Sequence, residues 1–343
     1  MKKIMIYIIT FFCIVFVIPS FCTRRKRQAE NISNIDVKTN ENKEELSTEE
    51  VYPKYDYTKY ATIKLYHDKT GETEELPIDE YLYGVVSSEM PANYELEALK
   101  AQAVVARTYT IFQINHSIGK HGDADICDNY ACCQAWISKE DRFAKWEESK
   151  REDNWAKIEN AVFGTQGKII TYNNMPINAF FHSNSGGITE MPVNVWGGTG
   201  YPYLQSVETA GEDTYKQYAS EIVLSKEELI NKLKEKYDDI QINFENDDDI
   251  KILEYTEGTR VKTVRFGNHE ISGVEARTIL GLRSTNFEIS KENDKIKFSV
   301  KGYGHGVGMS QTGSDYLAKQ GKSAEEIINH FYSGVEIKDI NSL

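Results

Sequence analysis

The stretch ELEALKAQAVVARTYTIFQIN, residues 95–115, constrains the fold more than any other. Ala, Leu, Lys, Gln and Arg are strong helix formers, so one long helix is predicted there. Its run of Ala and Val leaves no broad polar face, which implies burial on most sides. Such a helix needs partners all round it, so the chain must build its core about this element. Pro91 separates it from a shorter helix, predicted to run from after Pro77 to about Ser88 on the spacing of Leu82, Val85 and Val86.

Strand signals surround these helices. Residues 60–66 alternate and are followed by a Lys69-Thr70-Gly71 turn. Residues 164–172, 176–182 and two stretches within 287–300 are also expected strands. Ser225 with Glu228, Ser272 with Glu275 and Ser323 with Glu326 match S-x-x-E, the capping box that opens a helix. Strand-like segments at 240–244, 250–255 and 260–266 lie between the first two boxes. The expected fold is α+β: a mixed-sheet, barrel-like core with packed helices and a smaller inserted α/β domain at 221–286. The core then takes 56–220 and 287–343.

Residues 4–22 are almost wholly apolar. At about 1.5 Å per residue they just cross a hydrocarbon layer of about 30 Å. No small-x-small cleavage site is evident, and bulky Phe21 before Cys22 argues against lipoprotein processing, so an uncleaved anchor at 1–23 is expected. A polar, acid-rich stretch at 24–55 is the expected flexible linker. Four basic residues follow the apolar segment and two precede it, which by the positive-inside rule alone would put the body in the cytoplasm.

The formal charge of the 343 residues is −13. Six of the 40 basic residues precede position 28 with no acid among them, leaving 34 basic against 53 acidic groups, a net −19. That balance excludes nonspecific nucleic-acid binding and docking to an anionic membrane surface.

Four clusters carry possible chemistry. Glu89, in Ser87-Ser88-Glu89-Met90-Pro91, is a single carboxyl at a helix end beside apolar residues, a setting that raises a pKa toward general-acid use. The segment FFHSNSGGITE, 180–190, runs aromatics into hydroxyls, an amide and two glycines suited to sugar hydroxyls and acetamido groups. GYGHGVGMSQTG, 302–313, places His305 and Gln311 in a glycine-rich loop that does not fit a dinucleotide fingerprint. His121, Cys127 and Cys133, with adjacent Cys132, offer zinc-type donors, with a Cys127–Cys132 or Cys127–Cys133 disulfide as the alternative.

In order and spacing, EYLYGVVSSEMP, ELEALKAQAVVARTYT, HGDADICDNYACCQAW, AFFHSNSGG, YPYLQSV and GYGHGVGMSQTG resemble the stage II sporulation protein D family, over about residues 57–335. The resemblance implies a lytic transglycosylase acting in engulfment during endospore formation. It also implies a single-pass anchor with the body outside the cytoplasm, facing the space between the two membranes around the forespore. Glu89 is then the catalytic acid/base. Lys100, Thr189 and Tyr203 or Tyr201 are groove residues, and His182, Ser183, Ser185, His305 and Gln311 are further expected glycan contacts. Lys100, with Arg107, would offset the acidic body locally. His121, Cys127 and Cys133 are implied ligands of a structural zinc, with water or Cys132 as the fourth. The implied substrate is glycan stripped of stem peptides, and the implied partners are stage II sporulation proteins P and M.

Glycosidases ordinarily flank the scissile bond with two carboxylates, whereas these motifs offer one. A lytic transglycosylase fits that count. Two other classes stand beside it: a noncatalytic glycan-binding scaffold and a disulfide-stabilised interaction module. A catalytic-zinc amidase would lose activity to a chelator but not to Glu89→Gln.

Overall fold

The computed structural model describes residues 55–343 except 118 and 200. The expected anchor and all of the expected linker but Tyr55 lie outside the described residues. Tyr55 belongs to the body: its hydroxyl donates to Asp339 at 2.5 Å. No described helix is long and apolar enough to cross a membrane.

Nine α-helices occur among the described residues: α1 (Ile78–Glu89), α2 (Leu96–His116), α3 (Lys139–Lys145), α4 (Arg151–Phe163), α5 (Pro192–Trp196), α6 (Lys226–Lys234), α7 (Gly273–Leu280), α8 (Gln311–Lys319) and α9 (Ala324–Phe331). The strands form sheets of two or three members. The fold is thus α+β, but no sheet among the described residues closes into the expected barrel.

The long helix is the axis of the larger core. It packs against α1, α4, α8, α9 and strand Lys168–Tyr172. Ala98, Leu99, Ala101, Ala103, Val105 and Ala106 are wholly buried along it. Small side chains let neighbouring backbones approach on every side. Arg107 is also fully buried, so it is not the groove cation anticipated. Its guanidinium donates to the Thr165 (2.8 Å), Lys168 (3.2 Å) and Val162 (3.4 Å) carbonyls and pairs with Asp79 at 3.4 Å. It thereby adds a cation to the carbonyls at the end of α4 and of the turn that follows it, where a positive charge is favoured.

A second core gathers Leu224, Leu229, Leu233, Val264, Phe266, Ala276, Phe287, Phe298 and Val300. Strand Lys295–Lys301 pairs antiparallel with both Asn286–Glu292 and Ala219–Ser225. The hairpin assigned from sequence to the larger core therefore closes this lobe instead, and the lobe spans 219–301. Ser225 and Ser323 make complete capping boxes at α6 and α9. Ser272 caps α7, but Glu275 turns away to Tyr237 and Lys236.

Two expected strands do not form as predicted. Residues 240–244 are a loop, because the Asp249 and Asn268 side chains take the Asn243 and Gln241 amides. In 176–182 only Phe181–His182 extends as a new strand, since the Asn178 N–H is spent on the Tyr203 hydroxyl at 2.9 Å.

Candidate active site

Glu89 is the last residue of α1, where Met90 turns extended ahead of Pro91. Its Oε1 accepts the Ala135 N–H at 2.8 Å and its Oε2 accepts the Gln311 amide at 3.2 Å. Burial raises its pKa, against the opposing pull of those two donors. A carboxylate at a helix C-terminus also faces the unfavourable end of the helix dipole. The side chain remains half-buried, within reach of solvent. This is a carboxyl biased toward its protonated form, with both oxygens fixed.

The Ala135 donor comes from a segment anchored one turn earlier. His121 Nε2 lies 3.3 Å from Cys133 Sγ and 3.9 Å from Cys132 Sγ. With Cys127, the four donor atoms fall within 4.8 Å of one another. Cys132 therefore joins the set as the fourth donor, and all three cysteines are free thiols. One imidazole and three thiols suit a tetrahedral, soft-ligand cation. Burial pushes the Cys127 thiol up to about 12 and also raises Cys133, so ionising these thiols calls for a compensating cation. This cluster could hold a metal ion.

From the cluster the chain runs straight to Glu89. Gln134 donates to the Tyr81 hydroxyl (2.7 Å) and to Thr110 (2.9 Å). Trp136 then crosses α1 at Gly84, where any Cβ would collide with the indole and with the Ile137 carbonyl. Gly84 is thus what lets the Ala135 N–H reach the helix end.

The Gln311 donor is held by other means. Glu212, 1% exposed, accepts from the Ser185 N–H (3.1 Å) and hydroxyl (2.5 Å), the Gly187 N–H (3.1 Å), Thr209 (2.8 Å), Thr312 (3.0 Å) and the Ser310 hydroxyl. One carboxyl thereby ties the Ser183–Gly187 loop to the start of α8. Asn184 adds a bond to Thr312 at 2.8 Å. Arg260, reaching in from the smaller lobe, donates to the Ser185 carbonyl at 2.7 Å and fills the space that Gly306 leaves open. Sequence reasoning missed both residues. Glu212 lies in an acidic stretch with no motif, and Arg260 acts from a lobe remote in sequence.

The expected groove residues divide by burial. Ser185 is consumed by Glu212. Thr189 accepts the Val207 N–H at 2.8 Å and donates to the Gln205 carbonyl at 3.3 Å. Tyr203 is buried with its hydroxyl on Asn178. His182 is buried, Nδ1 on the Val307 carbonyl at 3.1 Å, and burial drops its pKa to about 3. These four are buried within the loops. The Ser183 carbonyl accepts from Thr312. Lys100 pairs with Glu97 at 2.7 Å in a separate cavity of about 190 Å³ with Lys168 and Ser323, not among the partners of Glu89. Tyr201 keeps 36% exposure, stacked on Tyr203 at 5.4 Å. His305 is half-buried between Phe180, His182 and Trp196. Gln311 alone of these residues touches Glu89.

Stage II sporulation protein D of Bacillus amyloliquefaciens is 37% identical over 284 residues, covering 82% of this chain and 80% of that protein. The chain belongs to the stage II sporulation protein D family. Its Bacillus subtilis (strain 168) counterpart is 36% identical over 283 residues, with the same coverage. A family model described as "Stage II sporulation protein" matches residues 66–172, which include Glu89 and the His/Cys cluster. A more distant relative, the amidase enhancer of Bacillus subtilis, is 29% identical over 308 residues, 75% of this chain and 40% of that protein.

Proposed function

We propose that this family member is a peptidoglycan lytic transglycosylase. It cuts peptide-stripped glycan strands between N-acetylmuramic acid and N-acetylglucosamine in engulfment. The observation that carries the reading is Glu89 itself: a carboxyl with raised pKa, both oxygens fixed by neutral donors, and no second carboxyl among its hydrogen-bond partners.

Protonated Glu89 gives its proton to the bridging oxygen as the C1–O bond breaks. The departing N-acetylglucosamine leaves as an alcohol, and the muramyl ring carries oxocarbenium-like charge. Its own acetamido oxygen supports that charge. Glu89, now anionic, takes the proton of the muramyl C6 hydroxyl, whose oxygen bonds to C1. A 1,6-anhydro ring closes, no water is consumed, and Glu89 returns protonated. A raised pKa serves both halves of this cycle.

His121, Cys127, Cys132 and Cys133 would hold a structural zinc. Bound there, it would compensate the thiolate charge and hold in place the loop that presents the Ala135 N–H. No proton transfer needs it. The N-terminal apolar segment anchors the chain in a membrane, with the body in the space around the forespore. Stage II sporulation proteins P and M are the expected partners, the first supplying stripped glycan. A second reading takes its motive from the amidase enhancer: a glycan-binding scaffold that stimulates an amidase without cutting.

Mass analysis of products from peptide-free glycan separates the two. The transglycosylase yields ends one water lighter than hydrolysis products, and Glu89→Gln abolishes them. A scaffold yields no new ends, and Glu89→Gln leaves its stimulation of the amidase intact.

A further inference from the structure

The loop from α5 to Tyr203 exposes two aromatic rings that a folded core would ordinarily cover. Trp196 is 52% exposed and Tyr201 36% exposed. Both lean on Phe180, Trp196 at 4.6 Å and a 34° tilt, Tyr201 at 6.4 Å. His305 backs Trp196 at 5.1 Å. Its Nδ1 accepts the Val307 N–H at 3.1 Å, and the Phe181 carbonyl engages the ring as well. Its ring is therefore a fixed wedge and not a free hydrogen-bonding group. Tyr203 supports Tyr201 from below.

The strand behind the platform connects to the loop that holds Glu89. Phe181 and His182 pair with Met309 and Ser310, immediately before Gln311, which holds Glu89. Tyr109 packs against Phe180 and Phe181, 6.2 and 6.5 Å between ring centres. Trp196 and Tyr201 thus rest on Phe180, whose neighbours Phe181 and His182 pair with the strand leading into Gln311. Flat, exposed, rigidly backed aromatic faces suit the apolar C–H face of a pyranose ring, and an N-acetyl methyl adds contact area. Nucleic acid bases would also stack, but the net charge of the body opposes a polyphosphate.

We propose that Trp196, with Tyr201 beside it, is a sugar-stacking subsite that holds an N-acetylated pyranose of the glycan strand away from the scissile bond. The claim rests on glycan being the substrate. It assigns a grip on strand length to a residue that takes no part in proton transfer.

The test uses the full chain in detergent carrying Glu89→Gln, so that binding is read without cleavage. The probes are a soluble β-1,4 oligomer of N-acetylglucosamine and peptide-free glycan strands. Trp196→Ala should weaken binding about tenfold, and Trp196→Phe should hold it within about threefold. Equal affinity in parent and Trp196→Ala overturns the proposal. The two readings fail separately. Trp196-dependent binding without cleavage by the unsubstituted chain would sink the transglycosylase and leave the subsite. Cleavage with KM indifferent to Trp196→Ala would do the reverse.

Discussion

The two oxygens of Glu89 are held by arms of unlike construction. The Ala135 arm is local. His121, Cys127, Cys132 and Cys133 sit within thirteen positions of one another, and the chain passes from Cys133 to Ala135 directly. The Gln311 arm is assembled from afar: Ser185 and Gly187, Thr209 and Glu212, Arg260, and Ser310 to Thr312 converge on one buried carboxyl. The first arm carries the donor cluster beside Ala135, while Ile126, Cys133 and Trp136 pack it on the larger core. The second is part of the fold and cannot loosen without it. On the proposed reading Glu89 is positioned once with the help of the donor cluster and once by tertiary structure alone, and the two should respond to different insults.

The largest separation should come from Glu212. Replacing it with Ala leaves the buried Ser185 N–H and Ser310 hydroxyl without their acceptor, each costing about 1–3 kcal/mol. Urea unfolding should show a loss of at least about 3 kcal/mol in global stability, and a midpoint like the parent's would break this side of the comparison. Removing metal with a chelator should act on the other arm alone. Cleavage should fall about tenfold, in the range of lost positioning contacts. Hydrogen exchange at the Ala135 amide should quicken while the amides of the 219–301 lobe keep their protection. Uniform loss of protection would mean the cluster supports the whole fold.

Gln311→Ala is a smaller, sharper probe. The lost hydrogen bond favoured the carboxylate, so the pKa of Glu89 should climb further and the pH–rate profile should move toward higher pH. An unmoved profile would detach Gln311 from the acid. The smallest effect concerns stability. Because folding raises the pKa of Glu89, the folded chain binds more protons than the unfolded one, and stability falls as pH rises through that window. Glu89→Gln should therefore melt higher than the parent above the ordinary carboxyl pKa of about 4.3, with the gap closing below it. A variant that melts lower at neutral pH contradicts the burial argument.

Much of this was legible in the sequence where the signal is local. The buried helix, the Glu-Met-Pro terminus, the Cys/His spacing and two full capping boxes depend on neighbours along the chain. Tyr203, Thr189, Ser185 and His182 were visible as special residues but not as buried ones. Loop chemistry does not say which face of a loop turns inward. Glu212, Arg260 and Trp196 carried no signal, because their importance is created by contacts across the fold. Only strand pairing shows that residues 295–301 close on 219–225.

The most direct test of the central claim is cleavage of peptide-free glycan by the full chain in water enriched in heavy oxygen. Glu89 serving as acid and then base, with the C6 hydroxyl as nucleophile, predicts new anhydro ends with no heavy oxygen incorporated. Heavy oxygen at C1 of the new ends would mean that water attacks, and that Glu89 works with a second carboxyl in a hydrolase.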